Sequence, residues 1–538
     1  MLHGVLRENL ETFLARARER DRPVPRFVEL ELRAYLECGL LCHGFIRVRC
    51  SECGHDRLVA FSCKGRGFCP SCGGRRMAGT AAHLVDRVLP EAPVRQWVLS
   101  LPFALRYRLA YDRELTSAVL GVFVRAVFES LRRRARPHAR ARVRRVQCGA
   151  ITFVQRFGGA LNLNVHFHSL VIDGVYLASP ERGTLRFVPL PPPDDEEVER
   201  VATRTARGIA RLLERRGLID ADPAETDPLA HQAPLLAEIA SASVQGRAAT
   251  GERAGRRVRR LGDRVEPDVL ERSSAPLCAQ VAGLSLHAGV CVPARDRARL
   301  ERLCRYVARP PIATDRLSRL ADGNVCYRLR RAWRDGTTHV VLEPLELIER
   351  LVALIPAPRA NQIRYHGVLA PCAGYRAAVV PAPPMAQPPN RTAGTRPRSS
   401  TPGTPYAVQG LNEAPGSPAL TAISANAPPT AGGASALSVE AAAPDISHPA
   451  SAPLGAAPLV GPRRDRGRPS WADLMRRVFA IDVLECPACG GRMRVIAAIE
   501  DPRMIRAILE CLGLPARAPP TAKARPIKRP GLPFPDDV

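Results

Sequence analysis

Lysine is nearly missing from this chain. Among 538 residues it occurs only as Lys64, Lys523 and Lys528, and every other basic residue is arginine. Aromatic residues are also sparse, at 5%. Long apolar runs are absent: the longest, Ala118–Phe128, is interrupted by Arg125 and falls short of the roughly 18–20 residues a membrane span needs. The first 22 residues carry Glu8, Glu11, Glu19 and Asp21 among their arginines, with no apolar core or cleavage site, so they do not read as a secretory leader. These absences argue against a membrane protein and lead to an expected cytoplasmic location. What is abundant is positive charge. The net charge is +27 and the isoelectric point near 10.4. A guanidinium is always charged, grips phosphate through two hydrogen bonds and stacks on bases, so the expected partner is nucleic acid. Hydrophobic residues at 46% are enough for a sizeable core, which rules out disorder throughout. Sixteen cysteines in a reducing compartment read as metal ligands or buried thiols, not as a disulfide framework.

Composition divides the chain. Residues 1–90 hold seven of the cysteines and end in a helical stretch, Ala78–Leu89. Residues 91–375 carry the most regular apolar patterning, with a polar, Arg-rich insertion at about 191–262. Inside that insertion, Val198, Val201, Thr205, Ile209, Leu212 and Leu213 recur at helical spacing after a capping Asp194 and before Gly217. Residues 376–469 are dense in Pro, Ala and Ser and read as a disordered linker. Pattern resumes in a module at 470–515, and 516–538 is a basic, Pro-rich tail.

Three groups of residues carry chemistry. Cys50, Cys53, Cys69 and Cys72 form two C-x-x-C knuckles fifteen residues apart, a spacing that predicts one tetrahedral structural zinc site. Cys63 lies between the knuckles and could replace one of the four, while Cys38 and Cys42, i and i+4 on an expected helix, read as core. Second, residues 161–172 read LNLNVHFHSLVI and alternate as a strand, with Asn162, Asn164, His166 and His168 on one face. Two imidazoles at i and i+2 on a strand present two ligands to one divalent metal. The preceding Ile151–Phe157 and the Gly158-Gly159 turn complete a hairpin. Third, Cys486 and Cys489 form half a zinc site, to be completed by Cys511, by a second chain, or not at all.

The string FVQRFGGALNLNVHFHSLVIDGVY resembles the HUH (His–hydrophobic–His) motif of rolling-circle nucleases. With RCSECGHDRLVAFSCKGRGFCPSCGGRRM upstream and WADLMRRVFAIDVLECPACGGRMRVIA downstream, the chain resembles the transposases of the insertion-sequence-91 family over most of residues 26–375 and again in the C-terminal module. The resemblance implies an α+β architecture: an N-terminal zinc ribbon, an HUH nuclease domain on a central antiparallel sheet with flanking helices, a linker and a small C-terminal zinc-knuckle-like domain. It also implies a single-strand DNA endonuclease and strand transferase that uses a tyrosine and Mg²⁺ or Mn²⁺ to move a mobile genetic element by rolling-circle transposition. The DNA partner would be the single strand at the element ends.

The family's tyrosine lies on a helix downstream of the histidines, and the matching string ARLERLCRYVARPPIA places it at Tyr306. Leu300, Leu303, Cys304 and Val307 share one face of that helix, with Tyr306 at its edge and Arg299, Arg302, Arg305 and Arg309 as expected DNA contacts. Founding members carry two tyrosines four apart; here those positions are Arg302 and Pro310, which makes this a single-tyrosine variant like the family's common-region relatives. Tyr365 is the alternative nucleophile. A third metal ligand is implied upstream of the histidines, with Gln155 the candidate. A two-residue Gly158-Gly159 turn would leave it about 13 Å along the strand from His166, whereas a loop over roughly 158–163 would set it opposite the histidines. The same chemistry would also serve a plasmid replication initiator or relaxase, and a zinc-dependent DNA-binding regulator is the non-catalytic alternative.

Overall fold

The computed structural model describes residues 1–138, 146–179, 184–219, 227–262, 276–382, 470–479 and 482–526. The linker expectation therefore falls outside the described residues from 383 onward, as does the tail from 527. At the near end, Arg376–Val379 is a short helix that buries Val379, so ordered structure runs past the expected boundary at 375.

A six-stranded antiparallel sheet sits at the centre. Its order is Cys278–Val281, Leu284–Val292, Val94–Ser100, Leu163–Ile172, Gly149–Phe157 and Ile363–Gly367. The strand Leu163–Ile172, which carries both histidines, is thus flanked on each side by a paired strand. It is covered on both faces, and its apolar residues split accordingly. Leu163, Val165, Phe167 and Val171 enter one core with the N-terminal helix Leu2–Glu19 and the helices Arg113–Ala135, Pro234–Gln245 and Pro344–Leu354. Leu170 and Ile172 enter the other. The second core belongs to the histidine face and is closed by two helices, Pro70–Arg87 and Arg297–Val307.

Local rules explain both lids. Asp296 caps Arg297–Val307 by accepting from the Arg299 N–H at 2.9 Å, and Leu300, Leu303, Cys304 and Val307 are its buried stripe. At about 2 kcal/mol for each buried side chain, that stripe is what holds the tyrosine helix down. The other lid starts earlier than the expected Ala78. Pro70 takes the first helical position, where its missing N–H costs nothing, so the knuckle Cys69–Cys72 itself opens the helix. The two helices approach closely where Gly73 faces Pro310, and a Cβ at Gly73 would lie 2.6 Å from the proline ring. Asp194 caps Asp195–Arg215 by accepting from the Glu197 N–H, and this helix packs along Arg113–Ala135.

The C-terminal residues return to the start of the chain. Strand Met493–Ile499 pairs antiparallel with Phe45–Cys50, which pairs in turn with Asp56–Ala60. Helix Pro502–Cys511 packs Ile505 and Leu509 against Phe45. A further small sheet, Leu317–Arg319, Val325–Arg328, Thr337–Leu342 and Arg259–Gly262, leads into the turn that carries Arg330. No helix among the described residues is long and apolar enough to cross a membrane.

Candidate functional site

Register decides the position of Gln155. Residues 158–162 form the loop of the hairpin, with Leu161 in the left-handed region, so the longer of the two turns considered above is the one present. Gln155 is consequently the direct cross-strand partner of His166. On the other side Ser100 is opposite His166, and Val98 is opposite His168. Directly opposed residues point to the same face, so Gln155, Ser100, His166 and His168 all lie under the tyrosine helix.

The hydrogen bonds around these groups leave one polar atom of each side chain without a partner. His166 Nδ1–H donates to the Asn164 carbonyl at 2.7 Å, which leaves Nε2 as a bare lone pair. His168 Nδ1 accepts from the Gln96 Nε2–H at 2.6 Å, so a metal at His168 Nε2 requires the Gln96 amide turned over, its oxygen accepting Nδ1–H. Gln155 Nε2 donates to the Val307 carbonyl at 2.9 Å and so pins the C-terminal end of the tyrosine helix. That leaves His166 Nε2, His168 Nε2 and Gln155 Oε1 buried with no partner, together with Asn164 Oδ1 and Ser100 Oγ. Each such atom costs about 1–3 kcal/mol unless something completes it. Three of them are the donor atoms a divalent metal takes, each held by a hydrogen bond on its far side. Burial, with Arg106 and Arg309 nearby, pushes His166 down to about 4. Burial, then His166, Arg309 and His287, holds His168 well below its ordinary value. Both rings are therefore neutral at pH 7, the form that ligates.

Tyr306 stands beside His168. Its ring lies 6.2 Å from that of His168, edge to face. The guanidinium of Arg309 is 4.8 Å from the ring centroid and that of Arg330 is 5.4 Å. Of the four arginines expected to contact DNA, Arg309 is thus the one stacked on the tyrosine. Arg299 and Arg302 are exposed on the same helix, Arg299 two turns back at about 10 Å, and Arg305 is half-buried. Tyr365 is on the outermost strand opposite Ile151, four residues or about 13 Å along from Gln155, with Arg376 over its ring.

The cysteines correct the spacing argument. Cys50, Cys53, Cys69 and Cys72 do not share one site. Cys69 and Cys72 converge with Cys38 and Cys63, and Cys50 and Cys53 converge with Cys486 and Cys489, each set having its four sulfurs within 4.8 Å of one another. The reason is that Cys50 and Cys53 sit at the turn of a hairpin whose second strand, Asp56–Ala60, carries the chain back toward Cys63 before the second knuckle begins. Cys38 is not a core residue on a helix with Cys42; it caps the C-terminal end of Arg26–Glu37 and points its thiol at the cluster. In the first set, Sγ–Sγ separations are 3.8 Å for Cys38–Cys69, 3.9 Å for Cys38–Cys72 and 3.5 Å for Cys63–Cys72. Zn–S bonds of about 2.3 Å in a tetrahedron place thiolates about 3.8 Å apart, so the set fits zinc. The neighbouring thiols of Cys38, Cys63 and Cys69 hold Cys72 far below the ordinary thiol range. Cys72→Ser should release one zinc and lower the unfolding temperature, because the cluster anchors the start of a helix that covers the histidine face. Zinc content by mass spectrometry and a thermal melt of the full chain check this; unchanged values for both would exclude Cys72 as a ligand.

Gln96, Arg106 and Arg330 were not identified from the sequence. Gln96 could have been, since it falls on the histidine side of a strand that pairs with LNVHFHSLVI. Arg330, in RLRRAWRDG, carries no spacing signal.

Residues 5–101 match the family model described as "Transposase zinc-binding domain", that of insertion-sequence-91 transposases, and the matched span includes Cys38, Cys63, Cys69 and Cys72. Residues 149–376 match the one described as "Putative transposase", which includes Gln155, His166, His168, Tyr306 and Tyr365. A search of the curated proteins and one of the solved structures return no significant match. A DNA transposase with a zinc-binding N-terminal domain is the class that these features define. The chain belongs to the insertion-sequence-91 family of transposases.

Proposed function

We propose that this transposase nicks and rejoins single-stranded DNA by transesterification at Tyr306, and so moves its insertion sequence by a rolling-circle route. The observation that carries the reading is the trio of buried, partnerless donor atoms on His166, His168 and Gln155 beside a tyrosine flanked by two guanidiniums. A divalent cation such as Mg²⁺ or Mn²⁺, when bound by that trio, supplies charge neutralisation and orientation of the scissile phosphate.

The protein's own groups do the rest. Tyr306 Oη loses its proton and attacks phosphorus. The P–O3′ bond breaks, the 3′ oxygen takes up a proton, and the 5′ phosphate stays on the tyrosine. Rejoining is the reverse, with an incoming 3′-OH attacking phosphorus and the phenol leaving. The ester is conserved throughout, so no nucleotide cofactor is required. Arg309 and Arg330 lie where they would stabilise the charge that develops on the phenolate and the phosphate. The buried ligands and the tyrosine lie against one sheet face, which favours a strand whose phosphate can be drawn in without a paired partner. One tyrosine allows one covalent linkage per chain at a time.

Incubating the full chain with labelled single-stranded element ends and Mg²⁺ should yield an adduct that survives SDS. Blunt duplex of the same sequence should yield far less, and equal yields from the two would count against the reading. Single-strand affinity should fall steeply with salt, by about 300-fold between 50 and 200 mM if six phosphates are contacted. A fluorescence-anisotropy titration at the two salt concentrations measures it.

A further inference from the structure

The second thiol cluster joins parts of the chain that are 433 residues apart, Cys53 and Cys486. Its Sγ–Sγ separations are 3.5 Å for Cys50–Cys489 and 3.6 Å for Cys53–Cys486, close to the edge of a zinc tetrathiolate. Both halves are built as knuckles. Gly54 follows Cys53 at φ +75°, and Gly490 follows Cys489 at φ +72°. The Gly490 N–H donates to the Cys486 carbonyl at 2.9 Å, and the Gly491 N–H points at Cys489 Sγ from 3.4 Å. Across the junction the Ser51 N–H donates to the Arg492 carbonyl at 3.2 Å, and the strand pairing begins at once with Cys50 opposite Met493.

We propose that Cys50, Cys53, Cys486 and Cys489 bind a second zinc ion, which fastens the C-terminal residues onto the N-terminal hairpin. The apolar contact is divided between two small clusters, one beside the cysteines and one where Ile505 and Leu509 meet Phe45, and neither is a full core. The cluster around the site has Val48 and Met493 as its buried members besides two of the cysteines, while Val495 and Ile496 on the added strand stay exposed. Cores of this size need a metal or a cross-link to stay folded. The fastening also has a consequence for the lids. Helix Trp471–Phe479, just before the knuckle, packs on Pro70–Arg87, and its Arg477 bridges the two lid helices, 2.5 Å from Asp86 on one and 2.6 Å from Glu301 on the other. Through the second zinc, the end of the chain braces the tyrosine helix from its outer side. The inference concerns structure and stands independently of the chemistry assigned to Tyr306.

The test uses the full chain purified under reducing conditions, with a site-specific protease site inserted between residues 383 and 469. The parent protein should hold two zinc ions, and after cleavage its two pieces should elute together. Cys486→Ser/Cys489→Ser should hold one zinc, and its pieces should separate. One zinc in the parent, or two in the double variant, would overturn the site. Pieces of the double variant that still elute together would overturn the fastening. Because the double substitution leaves Cys38, Cys63, Cys69 and Cys72 in place, the zinc remaining at the first cluster reports that the main body has folded.

Discussion

Tyr306→Phe should abolish the covalent protein–DNA adduct, a loss of roughly 10³-fold or more, as expected when a nucleophile is removed outright. The substitution deletes one oxygen. The ring keeps its place against His168 and between the arginine side chains, so the tyrosine helix and its buried stripe are untouched. Single-strand binding should stay within a few-fold of the parent value, and no metal should restore the adduct. Binding by anisotropy and adduct formation on a denaturing gel, measured on one preparation, separate the two effects.

His166→Ala should fail in a different way. It removes one of three donor atoms and leaves the nucleophile, so nicking in millimolar Mg²⁺ should fall by about 10²–10³-fold. High Mn²⁺ should return part of the rate, since His168 and Gln155 remain and Mn²⁺ binds the nitrogen donor more willingly than Mg²⁺ does. The ring is fully buried, so the truncation also leaves a cavity, and a melting curve must accompany the rates. Rescue by Mn²⁺ in His166→Ala and its absence in Tyr306→Phe is the signature of a ligand and a nucleophile. The same response in both variants would mean that one of the two roles is misassigned.

Much of the histidine site was legible because its signals are local. Alternation over twelve residues placed both imidazoles on one side of a strand, and a 3.6-residue stripe of Leu300, Leu303, Cys304 and Val307 put Tyr306 at the edge of a helix. Gln155 hinged on loop length. A glycine pair allows a two-residue turn, and only the register, Gln155 against His166, shows that five residues are spent on the loop. The zinc clusters were misread for a physical reason. Spacing between knuckles says which cysteines could share an ion, but a hairpin between them can send the two pairs in different directions. Here Cys50-x2-Cys53 took as its partner another knuckle far along the chain, and Cys69-x2-Cys72 took two single cysteines, Cys38 and Cys63, that belong to no motif. The contact between the chain ends is a tertiary fact, and nothing in the spacing of Cys486 and Cys489 announces it. Arg330 was invisible on the same grounds, since it reaches Tyr306 from a turn of a separate small sheet.

The central claim is that Tyr306 carries the DNA. The most direct measurement is to trap the adduct on a labelled single-stranded end, digest the protein with a protease and the DNA with a nuclease, and sequence the modified peptide by mass spectrometry. The account predicts a nucleotide 5′-phosphate on Tyr306. A phosphate found on Tyr365, or on any other residue, would contradict it.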